Sequence, residues 1–143
     1  QLVAIATAAK ELGYQGKLIC GLDAAPSFNT TYGGDCSNVY YINNINTEDA
    51  TTAEMAAAVE DKVSAVNKYF LGYDVVMIAK QCLEEAGLED NAALVSAIEN
   101  VKDFKGLTGT LTIDPATHMP DGMGMFMYTY DNQTPVMLEE FAG

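Results

Sequence analysis

The side chains able to do chemistry in this sequence are mostly carboxylates and tyrosines, with three cysteines and one histidine among them. Asp23 directly follows the apolar run Lys17-Leu18-Ile19-Cys20-Gly21-Leu22. A carboxylate at the end of a strand accepts charge-assisted hydrogen bonds, each about twice as strong as a neutral one, and so can hold a cationic group. The same carboxylate can instead cap the turn backbone near Pro26, and both readings stand. His118 lies between Pro115 and Pro120 with no nucleophile beside it in the chain, so it reads as a solvated turn histidine rather than a general base. Cys20, Cys36 and Cys82 lack metal-type spacing, and with a single histidine they make a poor zinc set. Cys20 and Cys82 read as small buried thiols. A Cys20–Cys36 disulfide stays open, because spacing in the chain does not give a Cα separation. No Gly-rich phosphate loop, G-x-S-x-G elbow or H-E-x-x-H pair is present. These residues offer no catalytic constellation, and no metal and no cofactor are expected. The sequons Asn29-Thr30-Thr31 and Asn132-Gln133-Thr134 are short enough to arise by chance, and matter only if the source glycosylates its secreted proteins.

The elements that must position these groups follow from periodicity. Leu2 to Leu12 reads as an Ala-rich helix without an N-cap, ending at Gly13, where a left-handed C-cap is expected. That uncapped start suggests a chain that begins inside a larger structure. Lys17–Leu22 and Asn38–Ile42 read as buried strands, with a Gly/Pro/Ser/Asn-rich loop and at most one helical turn between them. Thr51-x-x-Glu54 has the form of a capping box, and Met55, Val59, Val63, Val66 and Phe70 continue at helical spacing. A second helix is expected from about Tyr73 to Ala86, stopped by Gly87, and a third after Asp90 with Leu94, Val95, Ile98 and Val101 on one face. The period then changes to two over Leu107–Ile113, the mark of a half-buried strand. Asp114 to Gly122 reads as turn, Met123–Tyr130 as a strand, and Asp131-Asn132 as a turn into Val136-Met137-Leu138. Helix–strand alternation with a terminal β-meander predicts an α/β or mixed sheet.

The chain has 143 residues, of which 49% are hydrophobic and 19% charged, enough for a folded domain with a real core. Twenty acidic against seven basic residues leave a net charge of −13. Without a Lys/Arg cluster, nucleic acid and anionic membrane surfaces are excluded as partners. No apolar run approaches the roughly 20 residues that cross a bilayer, so no membrane insertion of this segment is expected. No basic stretch followed by an apolar core opens the chain, which does not by itself fix a compartment.

Four segments carry a family resemblance. Leu71-Gly72-Tyr73-Asp74-Val75-Val76, closing at Ala86-Gly87, is similar to the "LGYDA…AG" helix of the type I periplasmic binding proteins of the leucine/isoleucine/valine class. Asp103-Phe104-Lys105-Gly106-Leu107-Thr108-Gly109 through Asp114 resembles their "DFxGxTGxxxFD" strand. Glu11-Leu12-Gly13-Tyr14-Gln15-Gly16-Lys17-Leu18 resembles the "ELGYKGP(I/L)" junction, and Gly34-Asp35-Cys36-Ser37-Asn38-Val39-Tyr40-Tyr41 the "GDAAEGVYF" segment. The four stand in the family's order and cover nearly the whole chain.

The resemblance implies an α/β fold of the periplasmic binding protein type I (Venus-flytrap) kind, of which this chain is a C-terminal fragment with pieces of both lobes. Residues 1–39 would belong to the C-terminal lobe, 40–106 to a hinge crossing and helices of the N-terminal lobe, and 107–143 to a return crossing and the terminal meander. It also implies a binding role: capture of an amino acid or similar small polar solute between the lobes, and delivery to the membrane permease of an ABC transporter. The alternative is a ligand-sensing domain of a receptor or regulator with the same fold. The expected place is periplasmic or extracellular, with a lipid anchor through a preceding segment. Asp23 falls where the family binds the ligand's ammonium group, and Ala24 beside it leaves more room than bulkier residues there. Just before the "GYD" helix the family sends an aromatic or apolar side chain into the pocket, and Lys68, Tyr69 and Phe70 occupy that stretch. Tyr69 combines an apolar face with a hydroxyl and is the better ligand contact. Phe70 continues the stripe from Val66, which favours core packing. Lys68 stands where an aromatic is usual: it would either favour an extra acidic group on the ligand or, one residue out of register, face solvent.

Overall fold

The computed structural model describes residues 1–21, 28–87 and 90–141. These divide into two compact units, residues 1–64 with 125–141 and residues 65–124, so the chain passes from one to the other after Ser64 and back after Gly124.

The first unit is built on a four-stranded sheet in the order β1 (Leu18–Cys20), β2 (Val39–Asn43), β6 (Met125–Asp131), β7 (Thr134–Phe141). β1 and β2 are parallel, with Leu18 opposite Val39 and Cys20 opposite Tyr41. β2 and β6 run antiparallel, with Tyr41 opposite Tyr128, and β6 and β7 form an antiparallel hairpin turning at Asp131–Thr134. Alternation decides which side chains are inside: Val39 and Tyr41 on β2, and Phe126, Tyr128 and Tyr130 on β6, all point to one buried face. Helices α1 (Leu2–Glu11) and α2 (Phe28–Tyr32) cover that face through Ala6, Leu2, Val3, Phe28 and Tyr32. The Tyr41 and Tyr128 rings stack with centroids 5.3 Å apart. The Tyr128 hydroxyl donates to the Ile45 carbonyl at 2.6 Å and accepts from the Thr47 amide at 3.2 Å. Ile19, Val136 and Leu138 are exposed.

α1 ends as expected: Gly13 has φ +69°, and the Gly13 and Tyr14 amides donate back to Lys10 and Ala9. Helix α3 (Ala50–Val59) corrects the capping box read at Thr51–Glu54. Its N-cap is Asp49, whose carboxylate accepts from the Thr52 amide at 2.8 Å. Asp49 is placed there by Asn46, whose side-chain oxygen accepts from the Glu48 and Asp49 amides.

The second unit comprises α4 (Val66–Ala86), α5 (Asn91–Glu99) and the three-stranded sheet β3 (Phe104–Lys105), β4 (Gly109–Ile113), β5 (Pro120–Met123). Its core joins Cys82, Ile78, Leu94, Ala97, Val101, Phe104 and Ile113. The helical spacing from Met55 to Phe70 had suggested one continuous helix; instead α3 stops at Val59 and α4 starts at Val66, with Ala65 extended. α3 has no buried residue, so no packing carries it onward, since most helical stability comes from a buried face. α4 also runs straight through Gly72 instead of starting at Tyr73. Phe70 and Asp74, one turn apart and both buried, hold that turn against the roughly 1 kcal/mol a mid-helix glycine costs. α5 begins as expected after Asp90, which caps the Ala92 and Ala93 amides.

The segment read as turn from Asp114 to Gly122 is shorter in fact, because Pro120–Met123 pairs with β4, Ile113 lying opposite Pro120. Proline is tolerated there as the first residue of an edge strand. The turn that remains is organised by Asp114, which accepts from the Ala116 amide and the Thr117 hydroxyl, both at 2.8 Å. Led by the Ala116 hydrogen bond, these contacts hold its carboxyl below the usual carboxylate range.

Candidate functional site

The two helix-and-strand segments that carried the resemblance in the second unit meet at one carboxylate. Asp74 is 2% exposed, and it accepts from the Leu107 amide at 2.7 Å, the Thr108 amide at 2.9 Å and the Thr108 hydroxyl at 2.7 Å. A Cβ on Gly106 would lie 2.6 Å from an Asp74 carboxylate oxygen, so glycine is required where the chain turns under the helix. The "GYD" and "GLTG" patterns are thus two halves of one polar lock, which ties α4 to the start of β4. The lock fixes the rotation of α4 about its axis, and with it the directions taken by the residues of its first turns.

Those first turns hold the expected site residues of this unit. Lys68 is exposed, Tyr69 is 37% exposed, and Phe70 is fully buried. The Tyr69 and Phe70 rings lie 6.2 Å apart and tilted. The N-cap of α4, Ala65, supplies no side-chain cap.

In the first unit the carboxyl ends of the parallel strands β1 and β2 lie side by side, at Cys20 and Asn43. Ligands of open α/β sheets gather outside the carboxyl ends of the strands. Asp23 and Ala24 follow β1 in the chain and lie outside the described residues. Asn44 follows β2; it is 1% exposed, and its side-chain nitrogen and oxygen find no hydrogen-bond partner among the described residues. A buried amide left unpaired costs on the order of 2–7 kcal/mol, so Asn44 marks this strand end as a polar position. Sequence reasoning passed over it, and the Asn43-Asn44 doublet at the end of an apolar strand was the available signal.

All three cysteines are free thiols, with Cys36 and Cys82 buried. Burial pushes each thiol above its ordinary range, which makes all three poor nucleophiles at neutral pH. His118 is exposed and sits 3.1 Å from a Glu99 carboxylate oxygen. Among the described residues there is no group of three potential metal ligands, and no helix is long and apolar enough to cross a membrane.

Comparison with known proteins fixes the class. The profile of the family described as periplasmic binding protein matches residues 1–135, and the chain belongs to that family. Its fold is the mixed α/β fold of type I periplasmic binding proteins, as three solved structures show. The leucine binding protein of Thermotoga maritima superposes with a TM-score of 0.79 at 20% identity, over 98% of this chain and 41% of its own. A periplasmic binding protein type 1 from Bordetella pertussis gives 0.71 at 16% identity, over 96% and 42%. A Rhodospirillum rubrum protein named for a branched-chain amino acid ABC transporter gives 0.66 at 19% identity, over 92% and 39%. No curated protein sequence matches the chain. The family and these neighbours are binding and transport proteins, not enzymes. The chain spans about two fifths of the length of the structures it matches.

Proposed function

We propose that this chain forms part of a binding protein that captures an amino acid, or a related small polar solute, outside the cytoplasmic membrane and presents it to an ABC transporter permease. The observation that carries this reading is the family match over residues 1–135, supported by neighbours named for leucine and branched-chain amino acid transport. We read the two compact units as portions of the two lobes, joined where the chain passes between them after Ser64 and Gly124. The ligand's ammonium group is assigned to Asp23, with Ala24 shaping the space beside it. Tyr69 offers its ring and hydroxyl, Phe70 backs it, and Lys68 supplies a cation for an acidic group. A ligand whose two charged ends are satisfied only in the closed arrangement favours that arrangement by its differential affinity. The closed form is then the one a permease recognises. A periplasmic or extracellular home with a lipid anchor completes the proposal.

A thermal-shift panel of amino acids tests it. At ten times its Kd a ligand adds about 1.4 kcal/mol of stability, which raises Tm by roughly 3–8 °C for a chain of this size. At least one amino acid should give that rise, and Asp23→Ala should abolish it. Because the chain carries only part of the cleft, Kd should lie above the low-micromolar range. No rise with any amino acid, or a rise that survives Asp23→Ala, contradicts the assignment.

A further inference from the structure

The first unit has a second concave place, at the amino ends of β1 and β2, the opposite end of those strands from Cys20 and Asn43. A groove of about 400 Å³ runs there between the last turn of α1 and the segment leading into β2. Its walls include Lys10, Tyr14, Tyr32, Asp35, Ser37 and Asn38, and a second hollow adjoins it across Lys10 and Tyr32. The groove is large enough for a small molecule.

Two observations describe the walls. A Cβ at Gly16 would lie 2.2 Å from the Tyr14 hydroxyl oxygen, and one at Gly34 would lie 2.9 Å from the Tyr32 ring. Each tyrosine thus lies across a glycine backbone; the ring of Tyr14, which is 51% exposed, is free to swing aside, whereas that of Tyr32 is not. Tyr32 is pinned further by stacking on Phe28, with centroids 5.5 Å apart and planes 10° from parallel. The charges form the second observation. Asp35 accepts from the Ser37 amide and hydroxyl, which leaves its other oxygen to the groove. Those two bonds, with a smaller contribution from the charge of Lys10, hold its carboxyl below the ordinary range. Lys10 and Asp35 form no direct ion pair among the described residues. One fixed anion and one cation therefore share a groove with two aromatic side chains and remain unsatisfied by each other.

We propose that this groove is a second, weak binding site for a zwitterion with an apolar or aromatic body: its carboxylate on Lys10, its ammonium on Asp35, and its body against Tyr14 and Tyr32. The net charge of −13 repels simple anions and leaves a neutral zwitterion unaffected. The site is independent of the reading built on Asp23, since it uses the other end of the same strands.

The test is a titration of the 15N-labelled chain with L-phenylalanine, followed by the backbone amide shifts of Gly16, Gly34 and Ser37. Saturating shifts at these three amides are expected. Phenethylamine and 3-phenylpropanoate, each lacking one charged group, should bind more weakly. Lys10→Met and Asp35→Asn, both at exposed positions, should each weaken binding by about 1.5-fold to fivefold, the range of a solvated charge contact. Asp23→Ala should leave it unchanged. Shifts that fail to saturate, equal binding of the three probes, or full binding by either groove variant overturns the inference. So does loss of the shifts in Asp23→Ala, which would assign the binding to the site after β1 instead.

Discussion

Removing the Asp74 carboxylate puts the central claim about the second unit at risk. Asp74→Ala leaves the Leu107 and Thr108 amides and the Thr108 hydroxyl without the acceptor they now share at 2.7–2.9 Å. Thr108 is 2% exposed, so water reaches that site poorly. An orphaned buried donor costs about 1–3 kcal/mol, and the hydroxyl can turn to another partner. Two orphaned amides, with some relaxation, give a loss of about 3–5 kcal/mol, a large share of the 5–15 kcal/mol that stabilises a typical domain. Asp74→Asn keeps one oxygen for the amides but aims an NH2 group at the remaining donors, so about 1.5–3 kcal/mol should be lost. Thr108→Val removes one bond of the three and should cost about 1–2 kcal/mol. Asp74→Ala should therefore cost the most of the three. Urea unfolding followed by circular dichroism measures each loss, and hydrogen exchange at the Leu107 and Thr108 amides localises it. If Asp74→Asn matched the parent within about 0.5 kcal/mol, or if the two amides kept their protection in Asp74→Ala, the lock would carry no weight. The account of why these two motifs occur together would then be wrong.

Other outcomes follow from the same structure. Gly106→Ala should destabilise the second unit by about 1–3 kcal/mol, the usual cost of overpacking, because its Cβ meets the Asp74 carboxylate; the loss should shrink in the Asp74→Ala background, as a double-mutant cycle by urea melts would show. Tyr128→Phe deletes the hydroxyl that donates to Ile45 and accepts from Thr47, and should lower stability by about 1–2 kcal/mol in the same assay. Burial pushes the Tyr130 phenol up to about 12 and Tyr41 further still. A phenol whose folded pKa is raised contributes stability that is complete below its unfolded value near 10 and lost as pH rises through the folded value. Absorbance at 295 nm should therefore show Tyr41 and Tyr130 titrating late, their ionisation coinciding with unfolding above about pH 10; ionisation of these two near pH 10 with the fold intact would refute their burial.

The extent to which this protein was legible before folding depended on the range of the interactions concerned. Gly13 and Gly87 end helices because only their own backbones need the left-handed region. Asp90 caps α5 by bonding residues two and three positions on. Thr110 and Thr112, alternating with the buried Leu111 and Ile113, declare a strand with one wet face. These are local effects, and the sequence alone placed the two helix ends, the start of the helix after Asp90 and the strand. The motif resemblance reached further and supplied the fold family, though composition and period had stopped at an α/β mixture.

What tertiary structure decided lies in contacts between distant residues. Nothing near Gly72 predicts that α4 runs through it; Asp74 buried against Leu107 and Thr108 does. Pro120 reads as turn until β4 is seen beside it, because strand pairing is a property of two segments and not of one. Tyr69 and Phe70 are neighbours in the chain with opposite fates, one exposed and one buried; the apolar stripe from Val66 already favoured Phe70 for the core, and the Asp74 lock is the contact that holds α4 in that rotation. Local chemistry names the residues able to bind. Only long-range pairing, with entropy costs met by many contacts at once, decides which of them face outward to do so.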